Sequence, residues 1–142
     1  MISTDATTMQ SDTKRIAISS RVENIAIIEK AIDEVCTEHG VNEEHYGNVL
    51  IAITEAVNNA INHGNKQNPD KEVVVEFSTK DKNLVCKVTD QGPGFDYENV
   101  PDPTSPENLE KPNGRGVFLM RHLSDGIEFH DNGAIVEMNF GL

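Results

Sequence analysis

The chain is poor in cysteine: 142 residues hold two, Cys36 and Cys86. They stand far apart in apolar pattern, which excludes a disulfide scaffold or a structural zinc site and reads as two reduced core thiols. Five histidines fall in no metal-ligand spacing such as HExxH. No apolar run approaches the roughly 20 residues that cross a bilayer. The opening MISTDATTMQSDTK lacks the basic and then apolar layout of a signal peptide, so the expected location is cytoplasmic, without membrane contact. Basic residues are scarce as well, 12 against 24 acidic ones for a net charge of -12. That balance opposes binding to nucleic acid or to an anionic membrane. What is left is a protein partner or a small ligand. If that ligand is an anion, backbone N–H groups, a helix N-terminus or a metal ion must offset the repulsion.

Present in quantity are periodic apolar residues. Residues 1 to 13 carry none and are expected as a flexible tail, leaving one domain over 14 to 142. RIAIS (15 to 19) alternates as an edge strand does. From about Val22 to His39, Ile25, Ile28, Ile32, Val35 and Cys36 recur at helical spacing, and Gly40 offers a stop. Asn42, followed by Glu43 and Glu44, predicts an N-cap for a second helix whose stripe Tyr46, Val49, Leu50, Ile53, Val57, Ala60, Ile61 runs to about His63. EVVVEFSTK and NLVCKVTD predict a hairpin turning at Asp81 and Lys82. A long irregular stretch from Gln91 to Asn113 holds five of the six prolines, which suits a lid or binding loop. After it come a helix, GRGVFLMRHLSD, and a second hairpin turning at Asn132 and Gly133. The expected fold class is α+β: a two-layer sandwich of a mainly antiparallel sheet with helices on one face.

Three stretches carry candidate chemistry. In ITEAVNNAINHGN (53 to 65), Glu55, Asn58, Asn59, Asn62 and His63 stand opposite the apolar stripe. A solvated face explains such residues in most helices, yet three asparagines in five positions work against helix propensity, a conflict that marks functional sites. An asparagine oxygen suits Mg²⁺, and a glutamate one turn earlier suits a general base. His63 either closes the helix or reaches a ligand. DQGPGFD (90 to 96) follows a strand. It reads as a plain turn, or as Asp90 accepting a hydrogen bond from an exocyclic amine while Gly92 and Gly94 bring backbone close to a flat ligand. NGRGVFLM (113 to 120) opens a helix, either as a flexible entrance or as an anion site. Lys111 and Arg115 are the basic residues near it, and either can neutralise phosphate charge. The sequence has neither GxxxxGK[ST] nor a βαβ repeat.

Taken in this order and spacing, the three stretches resemble the Bergerat-type, histidine-kinase-like ATP-binding fold of the GHKL superfamily over about residues 14 to 142. Within it, EAVNNAINHGN, DQGPGFD and GRGVFLMRHLSD look most like the bacterial anti-sigma factor serine/threonine kinases. The resemblance implies MgATP as cofactor and partner switching between a STAS-domain anti-anti-sigma protein and a sigma factor. It implies Glu55 as catalytic base, Asn59 as Mg²⁺ ligand and Asp90 as adenine contact. Gly92 and Gly94 would pass beside the base, with Gly114, Arg115, Gly116 and Val117 around the phosphates. It also implies homodimerisation, for which the first strand and helix, with Arg15 and Arg21, are the expected surface. Two other readings stay open: a non-catalytic ATP-dependent binding module, and a detached histidine-kinase ATP-binding domain. The latter is disfavoured because no long helical hairpin with a phospho-acceptor histidine precedes the motifs. A gyrase-like ATPase is disfavoured by the chain's size.

Overall fold

Val73, Val75 and Phe77 are buried, as are Leu84, Cys86 and Val88, while the residues alternating with them are half exposed. That period of two is what one covered sheet face requires. A computed structural model describes residues 13–94 and 112–142. In chain order it has β1 (Lys14–Ser19), a 3₁₀ turn (Val22–Asn24), α1 (Ile25–Glu38) and α2 (Glu43–Asn59), which a π turn (Ala60–Gly64) extends. Then come β2 (Glu72–Lys80), β3 (Asn83–Thr89), α3 (Pro112–Leu123), β4 (Gly126–His130) and β5 (Ile135–Gly141). The expected tail falls almost wholly outside the described residues, as do the body of the expected lid and Lys111.

The five strands form one sheet in the order β1-β2-β3-β5-β4, every neighbouring pair antiparallel. Register places Val75 opposite Val88, Phe77 opposite Cys86, Cys86 opposite Met138, and Val88 opposite Val136. All of these side chains are buried and belong to one core with Ile28 and Ile32 of α1, Val49, Ile53 and Val57 of α2, and Val117 and Met120 of α3. The expected α+β sandwich is the fold observed.

Local chemistry sets the element ends. The side chain of Asn42 accepts from the His45 N–H at 2.9 Å, capping α2 as its sequence predicts. At the end of α1, Gly40 takes φ +66 and donates to the Thr37 carbonyl, while Val41 donates to that of Cys36, a Schellman closure. The β2–β3 turn is two residues long, with φ of 51 at Asp81 and 63 at Lys82, the left-handed pair whose twist suits a hairpin.

Three details differ from expectation. The first helix begins at Ile25, because Val22–Asn24 form a 3₁₀ turn. The third helix begins at Pro112 rather than Gly114, a position where proline's fixed φ fits and its missing N–H costs nothing. And α2 does not run α-helically to His63 but widens into the π turn, closed by the Asn65 N–H donating to the Ala60 carbonyl at 2.8 Å. Burial explains why α2 tolerates its asparagines. Val49, Ile53, Val57 and Ile61 are at most 1% exposed and contribute roughly 1.5–3 kcal/mol each. Three asparagines cost at most about 0.7 kcal/mol each relative to alanine.

Candidate functional site

A cleft opens where α2, the end of β3, α3 and the β4–β5 hairpin meet. Val88, Met120, Val136, Ala56 and Ala60 give it apolar walls; Asn59, His63 and Asp90 supply its polar side chains; Gly64, Gly94, Phe129, Gly133 and Ala134 complete the lining. Apolar walls with a few placed polar groups are the usual composition of a small-molecule site.

Asp90 is fixed from both sides. Its N–H donates to the Ala134 carbonyl at 2.9 Å, continuing the β3–β5 ladder by one residue. Its Oδ1 accepts from the Gly92 N–H at 2.8 Å, which leaves Oδ2 for a further donor. Burial raises the carboxyl above its ordinary value, while the Gly92 hydrogen bond and the Lys71 ammonium oppose that rise.

The glycines of the turn are contact points. A Cβ on Gly64 would strike the Asp90 carboxyl group, and one on Gly92 would strike the Gly64 carbonyl. The helix end and the turn are therefore pressed backbone to backbone. Gly64 does end the helical segment, as expected, but its reason for being glycine is this approach. Gly94 has φ +86 and sits on the Asn132 carbonyl, so the far hairpin buttresses the same turn.

Asn59 lines the same cleft as Asp90. A Cβ on Gly116 would come within 2.7 Å of Asn59 Nδ2 and 3.1 Å of Oδ1, so α3 meets α2 at that amide. Of the residues expected around the phosphates, Gly114 and Arg115 lie in the first turn of α3. Gly116 is one turn in, and Val117 turns its side chain into the core at 2% exposure. Arg121, further along α3, lays its guanidinium over the Phe129 ring at 5.5 Å.

Glu55 is half buried one turn before Asn59 and lies outside the lining of the cleft. His63 lines the cleft with an exposed ring. The other two asparagines have a structural use: Asn62 Nδ2 donates to Asn58 Oδ1 at 2.7 Å, and Gln67 Nε2 donates to Asn62 Oδ1 at 2.7 Å. This is an amide pair of the i,i+4 kind that stitches the helix surface.

Sequence reasoning missed Phe129, Gly133 and Ala134, which reach the cleft only because β5 inserts between β3 and β4. It also missed Asn65, although that residue closes the very stretch under suspicion; an asparagine directly after a helix-ending glycine was its signal. Both cysteines are free and buried, as expected. Burial and Asp33 push the Cys36 thiol up to about 11.

No helix among the described residues is long and apolar enough to cross a membrane. Residues 18–140 match the family described as the histidine kinase-like ATPase domain. The serine-protein kinase RsbW of Bacillus cereus is 30% identical over 128 residues, 85% of this chain and 79% of that protein. RsbW of Oceanobacillus iheyensis is 24% identical over 127 residues, covering 85% and 80%. A solved structure of the RsbU and RsbW domains from Mycobacterium tuberculosis shares the fold, with a TM-score of 0.67 at 16% identity. It is matched over 92% of this chain, which spans 32% of that longer one. A family match running from β1 to β5, and 30% identity along most of both chains, place this chain in the histidine kinase-like ATPase family, alongside the RsbW serine-protein kinases.

Proposed function

We propose that the domain, residues 14 to 142, binds MgATP in this cleft and transfers the γ-phosphoryl group to a serine or threonine of a STAS-domain anti-anti-sigma protein, with a sigma factor as the alternative partner. The observation that carries this reading is the packing of Gly116 on the Asn59 amide, in a cleft that Asp90 also lines. It supports a reading in which one ligand meets a carboxylate that reads an amine and a helix N-terminus beside an amide.

In this reading Asp90 Oδ2 accepts from the adenine amine, and Gly92 and Gly94 let the base lie against backbone. The N–H groups in the first turn of α3, around Gly114 and Arg115, have no acceptor within the helix and face the phosphates. Arg115 and Lys111 add positive charge against the chain's net -12; Gly116 and Val117 contribute by holding that turn against Asn59 and the core.

The donor set fits magnesium. Among the described residues no group of three or more His, Cys, Asp or Glu could hold a metal. A site built on Asn59 with phosphates and water is the arrangement this cation accepts from one or two protein ligands. When bound, it would neutralise charge on the phosphates. Glu55, one turn before, takes the proton of the attacking hydroxyl.

Glu55's place outside the cleft lining favours one second reading, an ATP-dependent binding module without transfer. Purified protein incubated with labelled ATP and a STAS-domain partner separates the two. The expected outcome is label on the partner, lost about 10²- to 10⁴-fold in Glu55→Gln with partner binding kept. Binding without label transfer in the wild type would replace the kinase reading with the module.

A further inference from the structure

Among the described residues, the buried polar side chain with the most hydrogen bonds, Asn65, is not part of the cleft lining. Asn65 is 1% exposed. Its Nδ2 donates to Ser20 Oγ at 2.8 Å and to the Glu72 carbonyl at 3.0 Å. Its Oδ1 accepts from the Gln91 N–H at 2.7 Å. The orientation of the amide is forced, since a carbonyl needs a donor and an N–H an acceptor. Three chain segments distant in sequence thus meet on one side chain: the end of β1, the start of β2, and the residue directly after Asp90. A second bond doubles the tie, because the Glu72 N–H donates to Gln91 Oε1 at 2.7 Å.

Resting on the proposed ATP reading, we infer that Asn65 is a positioning residue for adenine recognition, which sets where Asp90 stands without touching the nucleotide. The π turn is what delivers it. Five residues in that wider turn bring the Asn65 N–H back to the Ala60 carbonyl and carry its side chain inward; π turns inserted in helices are frequent at functional sites for this kind of reason. Ser20 extends the effect. Its N–H and hydroxyl both donate to the Lys71 carbonyl, at 3.1 and 2.7 Å. The Lys71 ammonium is in turn the charge that favours ionised Asp90. One network therefore holds the main chain of Lys71 and the main chain next to Asp90.

The test is nucleotide discrimination. ATP and purine riboside triphosphate share sugar, phosphates and ring system but differ in the exocyclic amine that Asp90 would read. In the wild type, ATP binds more tightly. In Asn65→Ala, shown to be folded by its melting transition, ATP affinity falls about tenfold, the worth of one well-made hydrogen bond. Affinity for the amine-free nucleotide changes little, so the ratio between the two collapses. Ser20→Ala moves the ratio the same way by a smaller factor, and decides the matter if Asn65→Ala does not fold. An equal loss for both nucleotides, or an unchanged ratio, overturns the positioning role. Wild-type protein with no preference for ATP overturns the assignment of the cleft and this inference with it.

Discussion

At Asp90, the role proposed for the carboxylate and the stability of the fold pull in opposite directions. Its carboxyl is raised chiefly by burial, so the charged form is the one that folding disfavours. The unfolded chain releases this proton at a lower pH than the folded chain does. The residue's contribution to stability therefore falls as pH rises from the ordinary carboxylate value through the raised one. Asp90→Asn should melt at a higher temperature than the wild type without nucleotide, and should lose most of the upward shift that ATP gives the wild type. Paired thermal melts at pH 7 check this, and a variant that melts lower in the absence of nucleotide contradicts it. At this scale the sequence was informative about residue type more than about purpose. Glu55, Asn58, Asn59, Asn62 and His63 all stand out by composition, yet Asn58 and Asn62 bond to each other while Asn59 meets α3. Period and propensity cannot separate them, because the difference lies in which neighbour each side chain finds.

Among the elements, α3 has the residues proposed for phosphate binding in its first turns and its anchorage further on. Val117 and Met120 bury it at 2% and 1% exposure, and Gly116 between turn and core meets the Asn59 amide. Gly116→Ala adds a methyl where that amide stands. Alanine in place of glycine favours a helix by roughly 0.8–1.0 kcal/mol, so stability should hold or rise while phosphoryl transfer drops by at least about tenfold. Melting temperature and transfer rate measured on the same preparation separate these effects; transfer at the wild-type rate would show that the contact is dispensable. The helices and hairpins were legible from apolar period, turn residues and the Asn42 cap, since each depends on residues near in sequence. The π turn was not. Its closing bond is local, but the reason for it lies at Ser20, Glu72 and Gln91, up to 45 residues away.

For the molecule as a whole, the fold class followed from the order of periodic segments, whereas strand order did not. Nothing in the spacing of AIVEMNF says that it enters between β3 and β4, the step that brings Phe129, Gly133 and Ala134 to the cleft. The chain carries a net charge of -12, yet near edge strand β1 the exposed Arg15 and Arg21 accompany Val22 and Ile27, which are 48% and 50% exposed. We place the proposed homodimer contact there. Wild-type protein should sediment as a dimer and Ile27→Glu as a monomer that still binds ATP; a monomeric wild type removes this surface from the proposal. The cleft itself has a different kind of boundary. Because Gly64 and Gly92 meet through main chain, the end of the π turn and the turn after Asp90 stand about as close as two peptide units can. Any side chain at either position would be a wedge. Substitutions elsewhere can repaint the walls of this cleft, but the approach of these two segments behind Asp90 leaves room for glycine alone.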